Sequence, residues 1–307
     1  MMQNNIGWLF YKDFFANLQE VTLEEIKSAE KKLMLEEKRK NICNTALDKV
    51  FANEYFKVLG ADGFVMKTTY PGFTTGLGIN HSIGVEGEIK LGFAFDYTTG
   101  LPYLPASSVK GALRSAFWGQ DAKRLEKLML KEDKTEKEKK AQKRLEVIVE
   151  NKQKYLLQIA QELKLNLNNN VQILALEEGV FGTSSEDNED NIPRLDNAYK
   201  RDIFLDAYPC EVINGSLFLD IDYITPHIKK DEQGNVKAGS EFSQPIPIPF
   251  LKIRPNVKIQ FQFLLQKTEI ENIAIEPKDK LELFKLILIN LGIGAKTRVG
   301  YGRLKPA

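Results

Sequence analysis

The sequence GIGAKTRVGYGR, residues 292–303, decides how the chain is organised, because it alternates glycines with cations. Glycine adopts positive φ and lets a ligand approach the main chain closely, while cations neutralise a polyanion. The segment therefore predicts a loop that contacts phosphate. A plain turn between the last helix and the last strand is the structural alternative. The glycines and cations are Gly292, Gly294, Gly300 and Gly302, with Lys296, Arg298 and Arg303.

The residues before this loop have the pattern of a strand and a helix. Apolar residues alternate over 257–263 and recur at helical spacing over 277–291, behind Pro277. Gly292 ends that helix, and VGYGRLK (299–305) returns as a strand. Strand, helix, loop and strand form the closing half of a ferredoxin-like βαββαβ unit. The predicted fold is α+β, with a ferredoxin-like (RRM-like) palm carrying large helical and loop insertions.

We expect the opening half of this unit in a strand over 87–97 and a helix over 108–118. Ile89, Leu91, Phe93 and Phe95 are expected on one face of that strand, because apolar residues alternate there. Around Asn214-Gly215, a strong turn signal predicts two further strands.

The predicted helix supplies a second candidate contact for phosphate. Ser107 or Ser108 is expected to cap it, and Lys110 and Arg114 lie four residues apart on one face. The free N–H groups and the dipole at a helix start favour an anion. Both cations are therefore expected to point toward a ligand near that start. A solvated cationic face is the alternative reading.

Composition restricts the class of protein. The 307 residues are 43% hydrophobic and 28% charged, which is typical of a folded soluble protein. The net charge is only +1, so a role with nucleic acid rests on where the cations lie. Cys43 and Cys210 are too few and too far apart for a metal knuckle or a disulfide framework. We expect a cytoplasmic protein with no cofactor, no metal, no secretion signal and no membrane span.

Charge and turn residues divide the chain into an N-terminal element and a main domain with insertions. The insertion is rich in charge, with 13 Lys or Arg against 9 Asp or Glu over 121–165, and it reads as solvated helix. The expected units are a helical accessory element at 1–57 and a main domain at 58–307, which contains the charged helical insertion at about 120–165 and loops at about 180–198 and 229–245.

Four short motifs carry a resemblance to a known family: LPYLPASSVKGALR (101–114), FLDAYP (204–209), TPH (225–227) and the glycine-rich loop. In this set the chain resembles the RAMP superfamily of CRISPR effector proteins. Order and spacing are most similar to the subunit-six family of the type III-B (Cmr) complex. The resemblance covers roughly 60–305 in scattered blocks. Members usually carry glycine where Ala106 stands.

The resemblance implies a palm that binds CRISPR guide RNA near its 3′ end, with target RNA as a further partner, and that has no nuclease activity of its own. It implies a place beside a backbone slicing subunit, a small helical subunit and a neighbouring RAMP subunit. Arg303 and His81 are added as phosphate contacts from the residues themselves. The residues implied to bind RNA are Ser107, Ser108, Lys110, Arg114, Gly292, Gly294, Lys296, Arg298, Gly300 and Gly302.

Two other functions stay open. The loop GLGINHSIG (76–84) offers Asn80 and His81 but no acid before Glu86, so metal-assisted cleavage lacks its ligand. His81, with His227 behind it, is the candidate for metal-free acid–base cleavage of RNA. The third reading is a scaffold subunit whose charged insertion and acidic loop bind neighbouring proteins, with incidental RNA contact.

Overall fold

A computed structural model describes residues 5–16, 29–47, 58–78, 88–89, 91–182, 201–215, 217–225 and 247–307. Helices and mostly antiparallel strands share one chain, which confirms the predicted α+β class. The α-helices are α1 Ile6–Tyr11, α2 Ala29–Cys43, α3 Ala106–Arg114, α4 Gly119–Met129, α5 Glu136–Glu162, α6 Asn170–Phe181 and α7 Pro277–Leu291. The strands are β1 Asp62–Thr68, β2 Leu77–Gly78, β3 Leu91–Gly92, β4 Ala94–Phe95, β5 Pro102–Tyr103, β6 Ile203–Phe204, β7 Tyr208–Val212, β8 Leu219–Ile224, β9 Ile248–Ile253, β10 Val257–Leu264, β11 Thr268–Ile270, β12 Ile273–Ile275 and β13 Leu304–Pro306.

The central sheet has the order β13-β1-β10-β6, and β7 also pairs with β10. Every pairing in it is antiparallel. Alternation explains its layering: on β10, Val257, Ile259, Phe261 and Phe263 are buried, as predicted for one face of that strand. One face of this sheet is therefore the wall of the core.

Helices α3 and α7 pack against that buried face. The Phe284 ring of α7 lies 5.3 Å from the Phe263 ring of β10 and 5.8 Å from the Phe204 ring of β6. Val109 and Leu113 of α3 are fully buried. The predicted helix over 277–291 is confirmed with those bounds, and Gly292 follows it with φ 73°.

A second sheet has the order β2-β3-β9-β8. The turn between β9 and β10 joins it to the first sheet, and there the Thr68 hydroxyl of β1 donates to the Arg254 carbonyl at 2.7 Å. Two short ribbons, β4-β5 and β11-β12, lie outside both sheets.

The predicted strand over 87–97 is wrong. Residues 91–95 form two separate short strands, β3 and β4. The long strand that precedes them in the chain is β1. The two pieces pair with different strands, β3 with β2 and β9 and β4 with β5. Alternating sequence alone does not distinguish a continuous strand from two pieces that pair in different sheets.

Other boundaries also differ from the predictions. The helix predicted over 108–118 begins at Ala106 and ends at Arg114, and VGYGRLK is a strand only from Leu304. Two strands do flank Asn214, at φ 61°, but β7 and β8 pair in different sheets.

The N-terminal and charged regions are helical in their described parts. Thr135 caps α5 through a reciprocal pair of hydrogen bonds with Glu138. Ile6 and Phe10 of α1 belong to the same buried cluster as Met66 of β1. The domain boundary at residue 57 stays a prediction. The acidic and polar loops lie almost wholly outside the described residues.

Candidate nucleic-acid interface

The glycine-rich loop is a closed turn between α7 and β13. Its ends are joined by the Ile293 N–H, which donates to the Gly302 carbonyl at 2.9 Å. Gly302 in turn donates to the Gly72 carbonyl at 2.9 Å, and Ala295 donates to Thr74 at 2.8 Å. The loop is thus hydrogen-bonded along the segment that follows β1.

Positive φ is confirmed at all four predicted glycines. A Cβ on Gly302 would lie 1.9 Å from the Ile293 oxygen, and one on Gly294 would lie 2.5 Å from the Thr74 oxygen. Gly292 and Gly302 are buried, whereas Gly294 is exposed. At Gly302, the absence of a side chain therefore lets the Ile293 carbonyl of the same loop approach the main chain.

The three cations of the loop have different surroundings. Lys296 is left-handed at φ 58°, and its Nζ lies 4.9 Å from the centre of the Phe250 ring. Arg303 donates to the Asn290 carbonyl at 2.7 Å, near the end of α7. Arg298 is exposed, and its side chain has no hydrogen-bond or ion-pair partner within the described part of the chain. Arg298 is the cation most available to an external anion.

A cleft of about 360 Å³ separates the loop from α3. Exposed Ser108 of α3 and Gly294 of the loop are on its wall, so the two predicted contact regions do meet. Its lining residues are Thr75, Leu77, Leu104, Pro105, Ser108, Gly111, Ala112, Ile293 and Gly294.

The predicted serine cap of α3 is wrong. Pro105 is the N-cap residue, and both serines lie inside the first turn. Asp206, from the loop between β6 and β7, accepts a hydrogen bond from the Ala106 N–H at 2.7 Å. A carboxylate of the chain itself therefore occupies the start of this helix, where an external anion was expected.

Lys110 and Arg114 do share one face of α3, but this face turns away from the cleft. Successive helical residues differ by about 100°, so Lys110 points about 200° from Ser108. Arg114 Nε lies 3.5 Å from the Glu177 carboxylate of α6, and Lys110 Nζ lies 5.7 Å from the centre of the Phe204 ring. The expectation that both cations reach toward the helix start is wrong, because partners on α6 and β6 hold them.

The pKa values of this helix-side group follow from burial. Burial raises the pKa of Glu177, although the Gly119 N–H and Arg114 favour its charged form. Burial lowers the pKa of Lys110, and the neighbouring guanidinium groups of Arg114 and Arg201 lower it further. Lys110, Arg114 and Glu177 therefore form an internal ion network and not an open cationic surface.

A second network fixes the loop to β8. The Tyr301 hydroxyl donates to Asp222 Oδ2 at 2.6 Å, and Lys252 Nζ lies 2.7 Å from the same oxygen. Burial works to raise the pKa of Asp222, but the hydrogen bonds from Lys252 and Tyr301 hold it below its ordinary value. Burial, followed by the bond to Asp222, raises the pKa of Tyr301.

Sequence reasoning missed several of these positioning residues. Glu177 could have been found, because Asn169 caps α6 and Ile173, Leu176 and Val180 recur at helical spacing. Asp222 and Tyr301 are 79 residues apart and carry no local signal.

His81 and His227, the candidates for acid–base catalysis, lie outside the described residues. Among the residues that are described, no three His, Cys, Asp or Glu side chains are grouped to hold a metal ion. A search of the same residues finds no helix long and apolar enough to span a membrane.

Comparison with known proteins identifies the family. Residues 65–305 match the model of the RAMP superfamily. The CRISPR system Cmr subunit Cmr6 of Pyrococcus furiosus is 33% identical over 122 residues, which are 38% of this chain and 34% of that protein. The match thus spans about a third of the relative's length.

Solved structures show a related fold. A chain in the cryo-EM structure of the type III-B Cmr-beta complex bound to cognate target RNA aligns with a TM-score of 0.53 at 20% identity, over 99% of this chain and 86% of that chain. The crystal structure of Cmr6 from Pyrococcus furiosus aligns with a TM-score of 0.40 at 22% identity, over 80% and 98%. The predicted resemblance is confirmed, and because the family model covers well over half of its length, the chain belongs to the RAMP superfamily.

Proposed function

We propose that the protein is a non-catalytic, RNA-binding subunit of a type III-B CRISPR (Cmr) effector complex. In this role it holds the 3′ region of the guide RNA and caps the backbone filament in the cytoplasm, in RNA-targeting antiviral defence. Its partners are guide RNA, target RNA, the backbone slicing subunit, the small helical subunit and a neighbouring RAMP subunit. The likeness to Cmr6 and to a chain of a Cmr complex bound to target RNA supports this assignment.

We further propose that the palm is ferredoxin-like. In a βαββαβ unit the four strands lie antiparallel in the order 4-1-3-2, with both helices on one face. Taking β1, α3, β6-β7, β10, α7 and β13 as the six elements gives this order. The opening half is then β1 and α3, not the region at 87–97.

The single observation that carries the proposal is the cleft between α3 and the glycine-rich loop. It brings Ser108 and Gly294 together, and the loop that forms one wall also carries Lys296 and exposed Arg298. A backbone of positive-φ residues beside an exposed arginine and a second cation suits the phosphates of a single strand. In this proposal Ser108, Gly294, Lys296 and Arg298 contact RNA, while Lys110 and Arg114 support α3 from behind.

The test is the salt dependence of RNA binding by the full-length protein. In K296Q/R298Q the log–log slope of affinity against salt is expected to fall by about 1.4, since each lost contact with a single strand removes about 0.7. The matched control is K140Q/R144Q, which removes one Lys and one Arg from the exposed side of α5. Binding of a labelled oligouridylate over a series of KCl concentrations gives both slopes.

An unchanged slope in K296Q/R298Q, or an equal fall in the control, would contradict the proposed contact. The same reactions also test the absence of catalysis, with a repeat-derived RNA as the ligand. The RNA is expected to keep its length without metal. A cut that disappears in His81→Ala would assign the protein to the metal-free endoribonucleases instead.

A further inference from the structure

A row of three lysines crosses the central sheet on the face opposite α3 and α7. Lys67 of β1 is paired directly with Lys305 of β13 on one side and with Lys258 of β10 on the other. Neighbouring strands are about 4.8 Å apart, so the lysine row, Lys305–Lys67–Lys258, spans about 10 Å. Directly opposed residues project from the same face of a sheet.

This face carries the lysines, whereas the other carries the core. Met66, Thr68, Val257 and Ile259, which flank the lysines along β1 and β10, are buried against the core. On the lysine face Gln262 is also buried, but Lys67 is half-buried, Lys305 is exposed, and the Lys258 side chain is 26% exposed. The three lysines therefore keep part of their surface exposed beside the described residues.

The row has a cation excess that the described residues do not neutralise. Lys258 pairs with Glu211 of β7 at 2.8 Å. Neither Lys67 nor Lys305 has an ion-pair partner anywhere in the described part of the chain. Like charges directly opposite each other destabilise a sheet. A bound polyanion would relieve this repulsion.

The neighbouring row on the same face offers groups that suit nucleotides. Val65 of β1 is paired with Gln260 of β10, which is paired with Tyr208 of β7. Gln260 Oε1 is buried and accepts no hydrogen bond from the described residues. The Tyr208 ring stacks on Tyr103, with centroids 5.8 Å apart and planes at 25°.

We propose that this lysine-bearing face is a second contact surface for single-stranded RNA, with Lys67 and Lys305 binding backbone phosphates. Cations beside aromatic rings are groups with which proteins bind single strands. Lys305 lies two residues after Arg303 of the glycine-rich loop, so the row begins at the strand that leaves this loop. Carboxylates of the described residues also lie near these groups: Glu211 at the lysine end, Asp96, which accepts from the Tyr208 hydroxyl at 3.5 Å, and Asp206, which adds negative charge near Tyr208 and Tyr103. This inference takes its ligand, single-stranded RNA, from the proposed function, but it involves different residues from those of the cleft.

The test compares K67Q/K305Q with K137Q/K140Q, which removes two exposed lysines from α5. Both are made in the wild-type chain and in the K296Q/R298Q background, and oligouridylate binding is measured over a series of KCl concentrations. We expect K67Q/K305Q to lower the slope by about 1.4 in either background, and the control to leave it unchanged. The melting temperature of K67Q/K305Q is expected to equal or exceed that of the wild type, because the substitution removes a repulsion.

The two proposals fail separately. If K296Q/R298Q lowers the slope and K67Q/K305Q does not, the second surface is refuted and the loop contact stands. If neither changes the slope, both are refuted. A melting temperature of K67Q/K305Q well below wild type would make the lysines structural and overturn the inference. If binding of oligoglutamate requires Lys67 and Lys305 and binding of RNA does not, the inference is overturned. The face would then be assigned to an acidic protein segment.

Discussion

The two halves of the candidate site carry the same kinds of residue and use them differently. On α3, Arg114 is held by Glu177 and Lys110 lies over the Phe204 ring. On the glycine-rich loop, Arg298 is exposed and has no partner among the described residues. Both pairs of cations have the local pattern of a phosphate contact. Lys110 and Lys296 each lie over an aromatic ring, so the difference is in the arginines: another helix supplies a carboxylate to Arg114, whereas tertiary packing leaves Arg298 open to an external anion.

The largest expected effect concerns the loop's internal packing. Gly302→Ala is expected to lower the free energy of unfolding by about 4 kcal/mol, because it adds a clash with the Ile293 oxygen to a strained φ of 67°. Gly111→Ala is the matched control, since a Cβ there meets nothing within 4 Å. It removes a glycine from a helix and is expected to stabilise by about 1 kcal/mol. Urea unfolding measures both. Equal effects would show that the loop is held less tightly than its hydrogen bonds indicate.

We expect Arg114 of α3 to stabilise the fold and not to contact RNA. Arg114→Met is expected to cost about 3 kcal/mol, because it leaves the buried Glu177 carboxylate without its partner. Adding Glu177→Gln should recover part of this loss. The RNA salt slope should stay unchanged in both. A lower slope with little loss of stability would place Arg114 with the loop cations as an RNA contact.

The pH dependence of Arg114→Met has a definite sign. Burial raises the pKa of folded Glu177 above its unfolded value, so the folded state binds more protons between those two pKa values. Stability therefore falls as pH rises through that window, and the fall should be steeper without Arg114. Urea unfolding at acidic and neutral pH compares the two chains.

The smallest effect tests how the loop is anchored. Tyr301→Phe removes the hydrogen bond to Asp222 and is expected to cost about 1 kcal/mol at neutral pH. The folded pKa of Tyr301 is raised, so its stabilisation is complete below the unfolded pKa of about 10 and is lost as pH rises above it. The difference between wild type and Tyr301→Phe should therefore shrink in alkali. A difference near zero at every pH would mean that Tyr301 acts through its ring, which lies 5.7 Å from the Phe250 ring and is kept in Tyr301→Phe.

The closing half of the fold was predictable from local pattern, and the opening half was not. The alternation of β10 and the helical spacing of α7 each arise within one element, so the sequence shows them directly. The region at 87–97 has an equally good alternation, yet it divides into two pieces that pair with different strands. The site shows the same limit: Ser108 and Gly294 were named from separate local motifs, but only the tertiary structure places them on one cleft, and the role of Asp206 as the acceptor at the start of α3 depends on a contact 100 residues away.

By itself the sequence determined the α+β class, strand β10, helix α7 and the positive φ of the loop glycines, because propensity, spacing and glycine are local properties. Only the tertiary structure decided which arginine of the candidate site is free. Arg114 and Arg298 are the same side chain, one on a helix and one on a loop, and a buried carboxylate on a separate helix engages the first. It also decided that Lys67, Lys258 and Lys305 form one row, because strand register sets residues that are far apart in sequence side by side.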